Sequence, residues 1–389
     1  MKRFSLTAAR LIIATAALAL GSAHAVVTYR VTDLGPGSGL SVNNVGQVLG
    51  STGGQLPRSY IFTPGSGATF LPQGFGAAGS SALNDGGLVA GTFPFPGTSQ
   101  FRAALFDPTR GLIDLGTLAG GGTSLAYGVN NAGQVAGEAS TDLAQFRAFR
   151  WSAATGMVDL GALGGAANLT SSGRAINGAG QVTGYSARAD GTFSLHAFIH
   201  NPASGPVDID TLAGSGRSAG AAINDAGHAT GEVFSLTEPF GEHAFLYKPE
   251  TGMVALLAPD GFASRGLGIN AQDHIVGEMI PSSGGGGLAF LYNGGPSFMD
   301  LNTVLEPTSG AGWTLEVATD INDFGQIVGN GRRDGEAHGF LLTPVPEPST
   351  WALMLGGLAL CAWVARRRAV WKAGACTEHP LRCGVARFG

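Results

Sequence analysis

Three histidines, His196, His243 and His338, open the same recurring phrase at different points of the chain. Three imidazoles could hold a zinc ion if they converged. Arg58, Arg102, Arg147 and Leu288 stand at the equivalent places. Residues that recur once per repeat sit far apart unless they line a common axis. The histidines therefore read as strand-end residues that cap backbone groups or face solvent, and no metal is expected. Asp33, Asp114, Asp159, Asp208 and Asp300 also recur. Paired carboxylates can do acid–base work, but a catalytic residue occurs once, so these read as turn formers. Ser124, Ser171, Ser218 and Ser264 each lie six residues before a recurring Asn. No Gly-x-Ser-x-Gly elbow surrounds them. They are expected to cap backbone groups, with a ring of hydroxyls at a channel mouth as the alternative. Neither Asp190-Gly191 nor Asn224-Asp225 has the spacing of a calcium loop, and Gly284 to Gly287 lacks the Gly-Lys-Ser/Thr ending of a phosphate cradle.

Residues that break the repeat are better site candidates than those that obey it. Tyr127 and Arg174 interrupt strands of small residues at one register, three before Asn130 and Asn177. Trp313, ahead of the last unit, is a third break. An exposed aromatic can stack on a sugar ring, and a buried one packs. Tyr127, Arg174 and Trp313 are thus the candidate ligand contacts, with no cofactor expected.

The elements that must position them come from one phrase, apolar-Asn-x-x-Gly-Gln-Val-x-Gly. It starts most clearly at Asn130, Asn177 and Asn322, and more weakly at Asn43, Asn84, Asn224 and Asn270. Successive spacings are 41, 46, 47, 47, 46 and 52 residues. Asp273 replaces the first Gly in the sixth copy, and His228 and His274 replace Gln. A second phrase follows each Asn, as in Arg147-Ala148-Phe149-Arg150-Trp151. A third, as in Asp159-Leu160-Gly161-Ala162-Leu163, comes next. Asn-x-x-Gly reads as a hairpin turn with Gly in the left-handed conformation. The Val and aromatic runs around it have strand composition. Four short strands per unit is the size of a propeller blade.

Two further patterns shape the expected architecture. Four residues before each Asn stand Gly39, Ser80, Ala126, Gly173, Gly220, Gly266 and Ala318. Two before it stand Ser41, Ala82, Gly128, Ala175, Ala222, Gly268 and Asp320. Nearly all are tiny, as strands crowded around an axis would require. The chain also begins with a spare third-phrase strand, Tyr29 to Gly35, and ends with a second-phrase strand, His338 to Leu342, that lacks one. The expected fold is all-β: a seven-bladed β-propeller closed by the N-terminal strand, plus one C-terminal transmembrane helix.

Composition narrows the function. Charged residues make up 13%, and 64 glycines occur without a collagen period. Between Val26 and Val345 stand 13 Lys+Arg against 25 Asp+Glu, a net of −12, with Lys248 the lone lysine. Such a body repels phosphates, which argues against a nucleic-acid partner. Cys361, Cys376 and Cys383 all lie at or beyond the C-terminal apolar stretch, so the body has no disulfide scaffold.

The two ends read as addresses. Lys2, Arg3 and Arg10 accompany an apolar run from Leu11 to Leu20, and Ala23-His24-Ala25 has the small-x-small pattern that signal peptidase accepts. Residues 1–25 are expected to be a cleaved signal peptide, with Ala23 and Ala25 at the cut. Val345-Pro346-Glu347-Pro348 precedes an apolar stretch that runs 17 residues from Ser349 to Ala365, then Arg366-Arg367-Arg368. That stretch is at the short end for a spanning helix, and the arginines would hold its end in the cytoplasm. The combination resembles the PEP-CTERM sorting signal of Gram-negative bacteria, over residues 345–368. The resemblance implies processing by an exosortase, transient membrane anchoring by the helix, and release or attachment outside the cell, often beside exopolysaccharide. Chains of that family usually stop soon after the arginines. The tail 369–389 departs from this pattern and is given no function.

The body, residues 26–344, resembles the HAF repeat of bacterial extracellular proteins, named for the His-Ala-Phe that stands here at His196 and His243. This resemblance implies an extracellular location and no established chemistry. The expected function is non-enzymatic binding of polysaccharide at the cell surface or in the matrix, through many weak contacts. A secreted glycan hydrolase or lyase working at the channel mouth is the alternative, and an envelope scaffold for another protein is a third.

Overall fold

A computed structural model describes residues 27–76, 82–143, 145–166, 168–190, 194–235 and 241–346. In the third copy of the repeat, Ser124–Val129, Val135–Ser140, Phe146–Ser152 and Gly156–Asp159 pair in order as one antiparallel sheet. The second, fourth, fifth and sixth copies do the same. The turn between the first two strands is built as its sequence suggests. Gly133 has φ +73° and its N–H donates to the Asn130 carbonyl at 3.0 Å. Asp273, at the same place in the sixth copy, takes φ 61° despite its side chain.

Two glycine demands explain the phrase. The last Gly of Gln-Val-x-Gly lies directly across from the second-phrase aromatic, as Gly137 does from Phe149 and Gly277 from Phe290. A Cβ on Gly137 would sit 2.7 Å from the Phe149 ring and 2.0 Å from the Leu125 carbonyl oxygen. The ring occupies the space that the glycine leaves. Phe149, Phe198, Phe245, Phe290 and Phe340 are all fully buried this way, each worth about 2–3 kcal/mol of apolar burial.

The small residues ahead of Asn answer to two different neighbours. A Cβ on Gly220 would lie 2.3 Å from Thr183 Oγ1, in the second strand of the preceding unit. One on Gly268 would lie 2.9 Å from the Asp320 Cα, in the first strand of the following unit. Between these two positions the strand carries a β-bulge, as at Gly173/Ala175, Gly220/Ala222 and Gly266/Gly268. Simple alternation therefore does not hold across them.

Unit-to-unit links are amide-borne. Asn43 donates through Nδ2 to the Asn84 carbonyl, Asn84 to Asn130, Asn130 to Asn177, Asn177 to Asn224, Asn224 to Asn270, Asn270 to Asn322, and Asn322 back to Asn43. Each of these asparagines is buried, and each Oδ1 caps its own hairpin, as Asn130 does for Gln134 N–H at 2.9 Å. Ser124, Ser171, Ser218 and Ser264 are buried too. They accept from the N–H of Ala103, Ala148, Ala197 and Ala244 in the preceding unit. They do not ring a mouth.

The array is all-β and β-propeller-like, but the expected single seven-bladed β-propeller with its own closing strand must be corrected. The described residues form six sheets, one of seven strands and five of four, and no sheet closes on itself. The reason is that Thr28–Val42 is one continuous strand of 15 residues. It pairs on one side with Glu336–Val345 and on the other with Val48–Thr52, so the first and last copies fuse into one sheet. Among the described residues the helical element is a 3-10 turn, Leu301–Val304, and no helix is long and apolar enough to cross a membrane. Residues 1–25, Glu347, Pro348, Arg366, Arg367 and Arg368, with the expected signal peptide, transmembrane helix and tail, lie outside the described residues.

Candidate functional site

The bulges build the site. Their extra residues are Leu40, Tyr127, Arg174, Ala221, Leu267 and Thr319, and all six line one cavity of about 640 Å³ within Tyr29–Pro344. A bulge turns a side chain out of the ladder's alternation, which is why this one register varies while its neighbours stay small. The structure thus brings Tyr127 and Arg174 together. The Arg174 guanidinium lies 4.3 Å from the centre of the Tyr127 ring and 5.2 Å from that of Tyr185. It donates to the Tyr185 hydroxyl at 3.2 Å. The Tyr127 hydroxyl donates to Glu138 Oε1 at 3.0 Å. Burial holds the Tyr127 phenol well above its ordinary pKa, with the Glu138 charge adding to it. Burial would lower the Arg174 pKa, but the two tyrosines and Glu138 outweigh it and the net shift is upward.

A second cluster reaches the same cavity through Glu232 and Arg265. Arg265 serves three carboxylates: Glu242, Glu232 at 3.2 Å and Glu278 at 3.4 Å. One cation cannot neutralise three anions. Burial and the Glu242 charge raise the Glu232 pKa, and Glu232 also hydrogen-bonds Glu242. Burial raises Glu278. The third feature is Asp320, whose pKa desolvation pushes up to about 6. Its carboxylate accepts from the Ser41 hydroxyl at 2.8 Å, the Val42 N–H at 3.0 Å and the Ile321 N–H at 2.9 Å.

Trp313 stands apart. It packs edge-on to His338 and Phe340, with ring centres 6.1 and 6.2 Å away, in the hydrophobic cluster of the seam. The recurring aspartates close local turns, as Asp114 does by accepting from Gly116 N–H at 2.8 Å. Three also pair with the residue opening the second phrase: Asp159 with Arg147 at 3.4 Å, Asp208 with His196 at 3.1 Å and Asp33 with His338 at 2.8 Å. His196 and His243 are buried rather than solvent-facing. Among the described residues no group of three potential ligands could hold a metal.

Glu138, Tyr185, Glu232 and Glu278 escaped the sequence reading. All four stand eight residues after their Asn, where Ser51, Thr92 and Asn330 complete the set. That second run of large polar residues was the signal. Asp320 was visible only as the one charged residue in a column of small ones.

Among solved structures, the chain is similar to TolB from Acinetobacter baumannii, at 12% identity and a TM-score of 0.43, covering 70% of this chain and 62% of that one. It is also similar to a prolyl endopeptidase (11%, TM-score 0.49, 88% and 55%) and to puromycin hydrolase (15%, TM-score 0.47, 79% and 52%). The chain thus spans less than two thirds of the length of each. No curated protein matches it. Residues 344–368 match the PEP-CTERM protein-sorting motif, of which Pro344, Val345 and Pro346 are described. The chain therefore carries the signal of an exported, cell-surface-directed protein that is processed by an exosortase-like enzyme.

Proposed function

We propose that the chain is a non-enzymatic binding protein of the cell surface or extracellular matrix, and that it holds polysaccharide in the cavity lined by Tyr127, Arg174 and Tyr185. Signal peptidase would free it at Ala25, and the C-terminal apolar stretch would anchor it until processing. The single observation that carries this reading is the convergence of two tyrosines, two arginines and two carboxyls on a cavity of about 640 Å³. That volume lies within the roughly 300–1,000 Å³ of small-ligand sites. Hydroxyls and carboxylates are what sugar hydroxyls bond to, and the flat Gly and Ala walls admit a ring. The HAF resemblance and the sorting motif support the location, and the sorting motif is what suggests an association with exopolysaccharide.

One observation favours a hydrolase or lyase instead. Glu232 and Glu242 share a hydrogen bond, and Glu232 and Glu278 keep their protons more readily than ordinary carboxyls. A general acid needs that property. The test is a glycan array probed with the purified protein, paired with a turnover assay on every sugar that binds. Binding without turnover is expected. Cleavage that vanishes in Glu232→Gln would replace the binding reading with the enzymatic one, and binding that survives Tyr127→Ala and Arg174→Gln would remove the cavity from it.

A further inference from the structure

We propose that the cavity selects an anionic sugar bearing a carboxylate, a uronate, and that Arg174 receives that carboxylate. This rests on the polysaccharide reading of the same cavity and narrows its ligand. Four charged side chains line the cavity: Arg174, Glu232, Arg265 and Asp320. Three are satisfied where they stand. Arg265 is ringed by three glutamates, and Glu232 is held by Arg265 and Glu242. Asp320 accepts three hydrogen bonds from Ser41, Val42 and Ile321. Arg174 differs. Among the described residues it makes one hydrogen bond, to a neutral hydroxyl, and no ion pair. The carboxylate that influences it, Glu138, is engaged by Tyr127 and stays outside ion-pair distance.

A guanidinium carries several N–H donors in a fixed fork that fits a planar two-oxygen anion. Arg174 is half-buried, and a partly desolvated cation without a counter-ion gains when an anionic partner arrives. The two tyrosine faces hold the guanidinium by cation–π contact without consuming more than one donor. The remaining donors suit an anion from outside. Across the cavity Arg265 offsets only part of the charge of Glu232, Glu242 and Glu278, and Asp320 has neutral donors alone, so the acidic side opposes an incoming anion without giving Arg174 a counter-ion. A neutral sugar would leave the fork unmatched.

The test is calorimetric titration of the purified protein with trigalacturonate, with its carboxyl-reduced neutral counterpart, and with a sulfated neutral trisaccharide. Trigalacturonate is expected to bind about 10- to 100-fold tighter than the reduced sugar, the span of a charge-assisted bond, and to weaken with added salt. Arg174→Gln is expected to abolish the difference. Arg174→Lys, which keeps the charge but not the fork, is expected to keep only a small part of it. The wild-type comparison needs no variant, so misfolding of Arg174→Gln does not remove the test. Equal binding of the charged and reduced sugars overturns this inference and leaves polysaccharide binding standing. Equal binding of the sulfated sugar overturns the carboxylate assignment. Binding of none of the three removes both readings.

Discussion

Each recurring asparagine has two jobs, and the side chain's two ends separate them. Oδ1 caps the hairpin that follows, and Nδ2 reaches the next unit's backbone. An Asn177→Asp change keeps an acceptor for Gln181 N–H but removes the donor to the Asn224 carbonyl. Asn177→Ala removes both. The expected losses are about 1–3 kcal/mol for Ala, from the unmet buried groups, and more for Asp, whose buried carboxylate would face the Asn224 carbonyl and Gln181 Oε1. Chemical denaturation of both variants near neutral pH checks the order, and Asp no worse than Ala would deny that Nδ2 binds the next unit. Asp320 makes a second residue-scale prediction. Its folded pKa of about 6 stands above the ordinary 3.8, so the folded protein binds that proton more readily than the unfolded chain. Its contribution is then favourable below about pH 4 and is lost as pH rises through about 6. Asp320→Asn is neutral at every pH. Its stability relative to the native protein should therefore improve between pH 4 and 7.5, by on the order of 1–3 kcal/mol. A pH-independent difference in melting curves would contradict this.

At the scale of the element, the bulge decides both packing and site. Phrase, spacing and turn chemistry were legible in the sequence because Asn, Gly and Val each answer a local demand that recurs in every copy. Tyr127 and Arg174 were legible as breaks for the same reason. The bulge was not, because Leu40, Ala221, Leu267 and Thr319 share no residue type. What they share is a backbone kink, imposed by strands converging on their neighbours. The partners Glu138 and Tyr185 were hidden too, since their convergence crosses from strand to strand and from unit to unit. Glycine substitutions separate packing demand from backbone conformation. A Cβ on Gly184 would fall 1.9 Å from the Ser172 carbonyl oxygen, beside the bulge at Arg174. Gly205 has φ +81° and open space around it. Gly205→Ala should cost about 1 kcal/mol, from conformation alone. Gly184→Ala should cost about 3 kcal/mol or more, because backbone must move. It should also displace Arg174. Thermal melts give the comparison, and equal costs would mean that the ladder yields easily beside the bulge.

At the scale of the whole molecule, the seam joins the first and last copies of the repeat into one sheet. The pairing of the two terminal strands was legible because each end carried half of a unit. Their fusion into a seven-stranded sheet was not, since Gly35-Pro36-Gly37 reads as the end of one strand rather than a turn within a continuous one. Gly35 and Gly37, both at positive φ, let the strand turn between its two partners without breaking. The seam adds charge to backbone pairing: Asp33 takes His338 at 2.8 Å and Arg333 at 2.5 Å. Although burial alone would raise the Asp33 pKa, bonds from Gly35, His338 and Arg333 lower it overall. Its contribution is therefore full above the ordinary carboxyl value and fades as pH falls through the lowered one. Removing residues 28–34 would strip a strand from Glu336–Val345 and leave an apolar edge unpaired, the condition for aggregation. It would also uncover Leu301, Leu315 and Phe340, in the cluster that Tyr29 and Val31 help seal. The truncated protein should melt at a lower temperature than the native protein, bind a hydrophobic dye and elute as aggregates. Asp33→Asn, which keeps the strand but not the charge, should elute as the native protein does, with a modestly lower melting point near neutral pH. A truncated chain that elutes and melts as the native protein does would show that the asparagine ring holds the units together without the shared strand.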